Sequence, residues 1–172
     1  MSKKTQSITL SALLSALAVA SLYIASISPT GQPGLAAFSS LFVTAAVIEI
    51  GLAKAAGVYI VSSALAILLL PDKTAPLLYL LFFGYYPLAK SLIEKVKYAV
   101  IRWLLKLIVF NLALSVIWFL FSKLFMSFTF ESLGIVIVYL AGNAIFVIFD
   151  YGYSKLIWFY INRISKSIKK GT

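Results

Sequence analysis

Stretches of about 20 apolar residues recur six times in this 172-residue chain, and that recurrence leaves few folds open. A hydrocarbon core ~30 Å thick is crossed by roughly 20 residues of helix. Inside it the backbone must satisfy its own hydrogen bonds, as a helix does. The runs fall at 8–27, 35–52, 55–71, 76–92, 99–122 and 134–156. Ser28 to Gly34 is a Pro/Gly loop, and Pro71 to Pro76 a tight polar turn in which Pro76 suits the first turn of the next helix. Leu52-Ala53-Lys54 is a very short turn, which leaves the boundary between the second and third spans open. Ser91 to Arg102 is charged and amphipathic, and Ser122 to Ser132 is a Ser- and Phe-rich loop.

The first run also invites comparison with a signal peptide, because Lys3 and Lys4 precede it. It is longer than the usual apolar region of a signal, and no small-x-small cleavage site precedes the loop, so a retained helix is expected. Hydrophobic residues make up 62% of the chain and charged ones 12%, too apolar for a surface that must face water. That leaves little polar surface for a nucleic-acid interface, despite a net charge of +10.

Charge sets the expected orientation. With the N-terminus inside, the first, third and fifth loops are outside and carry only Lys73 and Lys123. The other 13 of the 15 basic residues (15 − 2) fall inside or at inner helix ends, as the positive-inside rule requires. The expectation is an all-α polytopic integral membrane protein, with six transmembrane helices in one bundle, a single domain over 1–172, and both termini cytoplasmic. Residues 157–172 form a basic amphipathic cytoplasmic tail, with Ile157, Tyr160, Ile161, Ile164 and Ile168 at helical spacing and Lys155, Arg163, Lys166 and Lys170 mostly elsewhere on the wheel. Such a tail rests on anionic head groups or serves as a plain stop-transfer anchor.

Polar groups inside spans are costly and need a partner or a purpose. Asn111 and Asn143 lie near the middles of the fifth and sixth spans, where they hold a polar ligand or bond each other as helix glue. Asp150 follows Asn143 by seven residues on the same face, and a structural ion pair with Lys54, Lys90 or Arg102 would neutralise it. Glu49 reads the same way at the inner end of span two. Leu80 to Pro87 is the least regular part of span four, where Pro87 removes a donor from the backbone. On the outer side Gln32, Tyr79, Trp118, Lys123, Glu131 and Tyr139 lie within reach of an outward pocket. The alternative for the aromatics is an interfacial belt.

The chain has no Cys and no His, which removes thiol chemistry and the usual zinc sites. No phosphate-binding loop, nucleophile elbow or acidic cluster is present, so an enzyme is not expected, and no metal or cofactor is implied.

Ala12, Ala16 and Ala20 repeat every four residues along the first helix, and such a small-residue face lets another helix approach closely. Length, span count, orientation and this motif together resemble the S components of energy-coupling factor (ECF) transporters. The resemblance implies a subunit that captures a vitamin or similar micronutrient in an outward pocket, lidded by the first loop. It also implies that Ala12, Ala16 and Ala20 pack against a transmembrane T component driven by two ATPase subunits, in a bacterial cytoplasmic membrane. The family pocket is built from later helices and outer loops, which directs attention to Gln32, Tyr79, Asn111, Trp118, Glu131, Tyr139 and Asn143. Two other functions fit the same composition. One is a cell-shape or division scaffold recruiting partners through its basic segments, and the other is a stand-alone carrier.

Overall fold

The computed structural model describes residues 3–28, 30–124 and 132–165, and every regular element among them is helical. Helix α1 is Lys3–Ile27, α2 Gln32–Ile50, α3 Leu52–Leu69, α4 Thr74–Leu78, α5 Tyr86–Ile93, α6 Ala99–Leu124 and α7 Ser132–Phe159. A π-helical turn, Tyr79–Phe83, joins α4 towards α5, and a second, Tyr160–Ser165, extends α7. Counting α4 to α5 as one span, six helices are long and apolar enough to cross a membrane, the make-up of a multi-pass membrane protein. Of the expected tail, Lys166, Ile168 and Lys170 lie outside the described residues. The chain divides into two compact units, one up to Lys95 and one from Val96 onward.

In the first unit, α1 packs on α2 and α3 through small residues. Ser7, Leu14, Ser15, Ala18, Leu22 and Ala25 are buried on α1; Ala36, Ser39, Ser40, Val43 and Ala46 on α2; and Ala55, Val58, Ser62 and Ala66 on α3. Close backbone approach is what a lipid environment rewards, since apolarity alone does not drive helices together there. Ser39 donates to the Leu35 carbonyl at 3.0 Å and Ser62 to that of Val58 at 2.7 Å, each within its own helix.

Two boundaries differ from the sequence reading, each for a local reason. The second and third spans are separated by Gly51 alone, whose φ of 87° is favoured by a residue without a Cβ. Lys54 therefore sits inside α3 rather than in a turn. The break in span four lies before Pro87. That proline occupies the first turn of α5, where no backbone donor is needed. The irregularity is the π turn, in which the Gly84 amide donates to the Tyr79 carbonyl at 2.7 Å. In an α-helix it would donate to Leu80. The Tyr59 hydroxyl of α3 donates to the Leu80 carbonyl instead, at 2.8 Å.

The second unit is an antiparallel helical pair. Lys106 faces Asp150, Phe110 stacks on Phe146 with centroids 4.5 Å apart, and Asn111 faces Asn143. Ser115 then faces Tyr139. The contact positions on α7 step by four, three and four residues, and those on α6 fall as two pairs four apart, 106 with 110 and 111 with 115, so one face of each helix forms the seam.

Candidate functional site

The polar side chains of α6 and α7 meet along that seam. The Lys106 ammonium donates to Asp150 Oδ2 at 2.9 Å, with side chains only 7% and 2% exposed. The Lys106 ammonium also lies 5.3 Å from the Trp103 ring centroid, one turn back on α6. The partner of Asp150 is none of the expected Lys54, Lys90 and Arg102. Lys106, one turn beyond Arg102, holds that place because the antiparallel register sets it opposite.

Two turns earlier on α7 the amides of Asn111 and Asn143 exchange hydrogen bonds. Asn111 donates to Asn143 Oδ1 at 2.9 Å, and Asn143 donates back at 3.0 Å. Each also donates to a carbonyl one turn earlier on its own helix, Leu107 and Tyr139, both at 2.8 Å. Both N–H bonds of each amide are thus engaged within the pair. Ser115 donates to the Asn111 carbonyl at 2.8 Å and lies 2.6 Å from the Tyr139 hydroxyl, so Tyr139 donates to Ser115. The arrangement is helix glue in form, and it leaves the amides no free donor. Asn143→Leu alone is therefore expected to cost on the order of 1 kcal/mol, the usual scale for such bonds between membrane helices. Asn111→Leu with Asn143→Leu should cost less than the sum of the single changes, which a double-mutant cycle in detergent would read.

A second cluster closes one end of the first unit. The Gln32 amide, in the first turn of α2, donates to Asp72 Oδ2 at 2.7 Å. Asp72 also caps the start of α4, accepting from the Thr74 amide at 3.1 Å and the Thr74 hydroxyl at 3.0 Å. These bonds hold its carboxyl below the usual carboxylate range. The Thr74 amide is the main cause, partial burial opposes it, and the Thr74 hydroxyl, the Gln32 amide and the Lys73 amide assist. A carboxyl with a lowered folded pKa adds stability above its unfolded pKa of about 3.9 and loses it as pH falls through the folded value. Thermal melts taken from pH 6 down to pH 3 should therefore show an acid-side loss in the parent, and a smaller one in Asp72→Asn. Equal slopes would mean that the clasp contributes nothing.

Tyr79 is fully buried rather than placed at an outer surface, and its hydroxyl lies 2.9 Å from that of Ser62. Since the Ser62 proton points to its own helix, Tyr79 is the donor. It packs near Tyr59, with centroids 6.2 Å apart, in a core shared with Phe82 and Tyr86. Trp118 is half-buried on α6. Glu131 lies outside the described residues.

The third cluster is on α1. Ala12, Ala16 and Ala20 are exposed, while the neighbouring lines of small residues, Ser7, Ser15, Ala18 and Ala25, face the core. Ala12 and Ala16 form one wall of an open groove of about 660 Å³, and Gly57, Val58, Val61 and Leu65 of α3 form the other. Lys4 and Lys54 stand at its end.

Sequence reasoning did not single out Lys106, Asp72, Tyr59 or Gly84. The first was within reach: pairing Asn111 with Asn143 in an antiparallel hairpin sets Asp150 opposite the turn that contains Lys106. The others depend on contacts between helices distant in sequence, which no local pattern announces. No protein-family model matches this chain, and neither a curated protein nor a solved structure matches it.

Proposed function

We propose that this chain is the membrane-embedded capture subunit of an ECF-type importer, binding a vitamin-like small molecule from outside and passing it inward with partner subunits. The observation that carries the reading is the exposed face of Ala12, Ala16 and Ala20. A helix that presents a line of alanines away from its own core is suited to a close-packed partner helix. The Gln32–Asp72 clasp adds support, because it ties the start of α2, where the first loop and proposed lid ends, to the turn before α4. In this reading Lys4 and Lys54 lie at the cytoplasmic side of a bacterial inner membrane and the clasp lies outside.

The test is assembly. Co-expressed with a T component and two ATPases, the parent should co-purify as a complex, and Ala16→Leu should reduce recovery about tenfold or more while leaving the isolated subunit folded. Unchanged assembly and uptake in Ala16→Leu would sink the docking claim. One observation favours the scaffold reading instead: the amides of Asn111 and Asn143 are engaged with each other, not offered to a ligand. A chain that purifies without a small molecule, and shows no thermal shift across a vitamin panel, would decide for the scaffold.

A further inference from the structure

The groove between α1 and α3 has a property that a helix-docking face does not need: its cations are gathered at one end. Lys4 and Lys54 begin its two walls, and beyond the serines of α1 the lining is aliphatic as far as Ala16 and Leu65. Both lysines are exposed, and neither has a hydrogen-bond or ion-pair partner among the described residues. The lining runs from Lys4 to Ala16 on α1 and from Lys54 to Leu65 on α3, which puts both lysines at the same end of the groove. From Lys4 to Ala16 the wall is twelve residues, roughly 18 Å of helix. One leaflet of a ~30 Å hydrocarbon core is about 15 Å deep.

We propose that the groove binds one anionic phospholipid, its phosphate and head group held by Lys4 and Lys54 and one acyl chain lying between α1 and α3. The charge pattern selects this occupant. Two uncompensated ammoniums at head-group depth attract an anionic lipid, and aliphatic walls one leaflet long match a chain. The glycine and alanines leave the space that the chain fills, since a Cβ at Gly57 meets nothing within 4 Å. Of the wall's serines, Ser11 makes little polar demand, as its hydroxyl donates to its own helix at the Ser7 carbonyl, 2.9 Å away. The site does not depend on the import function proposed above. If both hold, the lipid covers the alanine face in the free subunit and leaves when a partner helix docks.

The experiment reconstitutes the full chain in nanodiscs of equal phosphatidylglycerol and phosphatidylcholine and counts retained lipids by native mass spectrometry. The parent should keep one phosphatidylglycerol in preference to phosphatidylcholine. Lys4→Gln with Lys54→Gln should lower that preference on the order of twentyfold, the scale for two surface cations. Gly57→Leu, which fills the groove and leaves the lysines, should lose the retained lipid of either head group. Glycerol phosphate, which lacks the chains, should not displace it. Equal retention of the two lipids by the parent, an unchanged preference in the double variant, or full retention in Gly57→Leu would each overturn the proposal. The assembly test with Ala16→Leu can fail without touching any of these outcomes.

Discussion

Asp150→Leu is expected to destabilise the α6–α7 pair by roughly 3–5 kcal/mol, the usual cost of leaving one charge of a buried pair alone. The two side chains are 7% and 2% exposed and their charged atoms 2.9 Å apart, so water does not screen the loss. The change removes the Lys106 counter-charge but not the ammonium, which stays desolvated between two helices. Lys106→Leu in the same background removes the orphan, and that double variant should regain most of the stability, because well-packed apolar residues often replace a buried pair at little cost. Tryptophan fluorescence during unfolding in mixed micelles is a suitable readout, since Trp103, Trp118 and Trp158 all lie on α6 and α7. A single variant within about 1 kcal/mol of the parent would place the pair in the exposed class.

Gly84→Ala should cost roughly 1–3 kcal/mol, the range for overpacking a filled core. The backbone there is ordinary, with φ at −72°, so the cost is steric rather than conformational. A Cβ at Gly84 would stand 2.7 and 2.8 Å from two Tyr59 ring carbons and 2.9 Å from one of Tyr79. Neither ring is free to swing away. Tyr59 is tied by its hydroxyl to the Leu80 carbonyl, and the Tyr79 hydroxyl is tied to Ser62 in the fully buried core. Removing the Tyr59 ring should therefore make the same change much cheaper. In a Tyr59→Ala background, Gly84→Ala should cost well under half its value in the parent. Additive losses would mean that the rings yield without resistance.

The six helices were legible because apolar length is a local property of the chain. Their joints were legible only where the turn is made by residues that announce it. Gly31, at the start of α2, has φ of 85° within an obvious Pro/Gly loop. Gly51 makes as sharp a turn between Glu49 and Lys54, and the polarity of the lysine draws the break to Leu52–Lys54, just past the glycine. In span four the irregular stretch, Leu80 to Pro87, is legible, but its cause is not Pro87: it is the π turn over Tyr79–Phe83, whose Leu80 carbonyl is satisfied from α3. Nothing in residues 79–87 records that Tyr59 stands opposite.

The candidate residues divide in the same way. That Asp150 needs a cation follows from its depth, but Lys106 follows only from the register of two helices. Tyr79 reads as a surface aromatic from its place near a helix end, and Ser62 provides the small neighbour that lets it enter the core. On α1 the four-residue spacing was plain. Which of the equally small Ser and Ala lines faces inward was not, and the outward line proves to be Ala12, Ala16 and Ala20.

Substrate capture is tested most directly by native mass spectrometry of the chain purified gently from cells grown in rich medium. The expected result is a single bound mass of vitamin size, lost on heating and restored by one member of a vitamin panel. A chain that carries only lipid, and takes up no panel member, would contradict it.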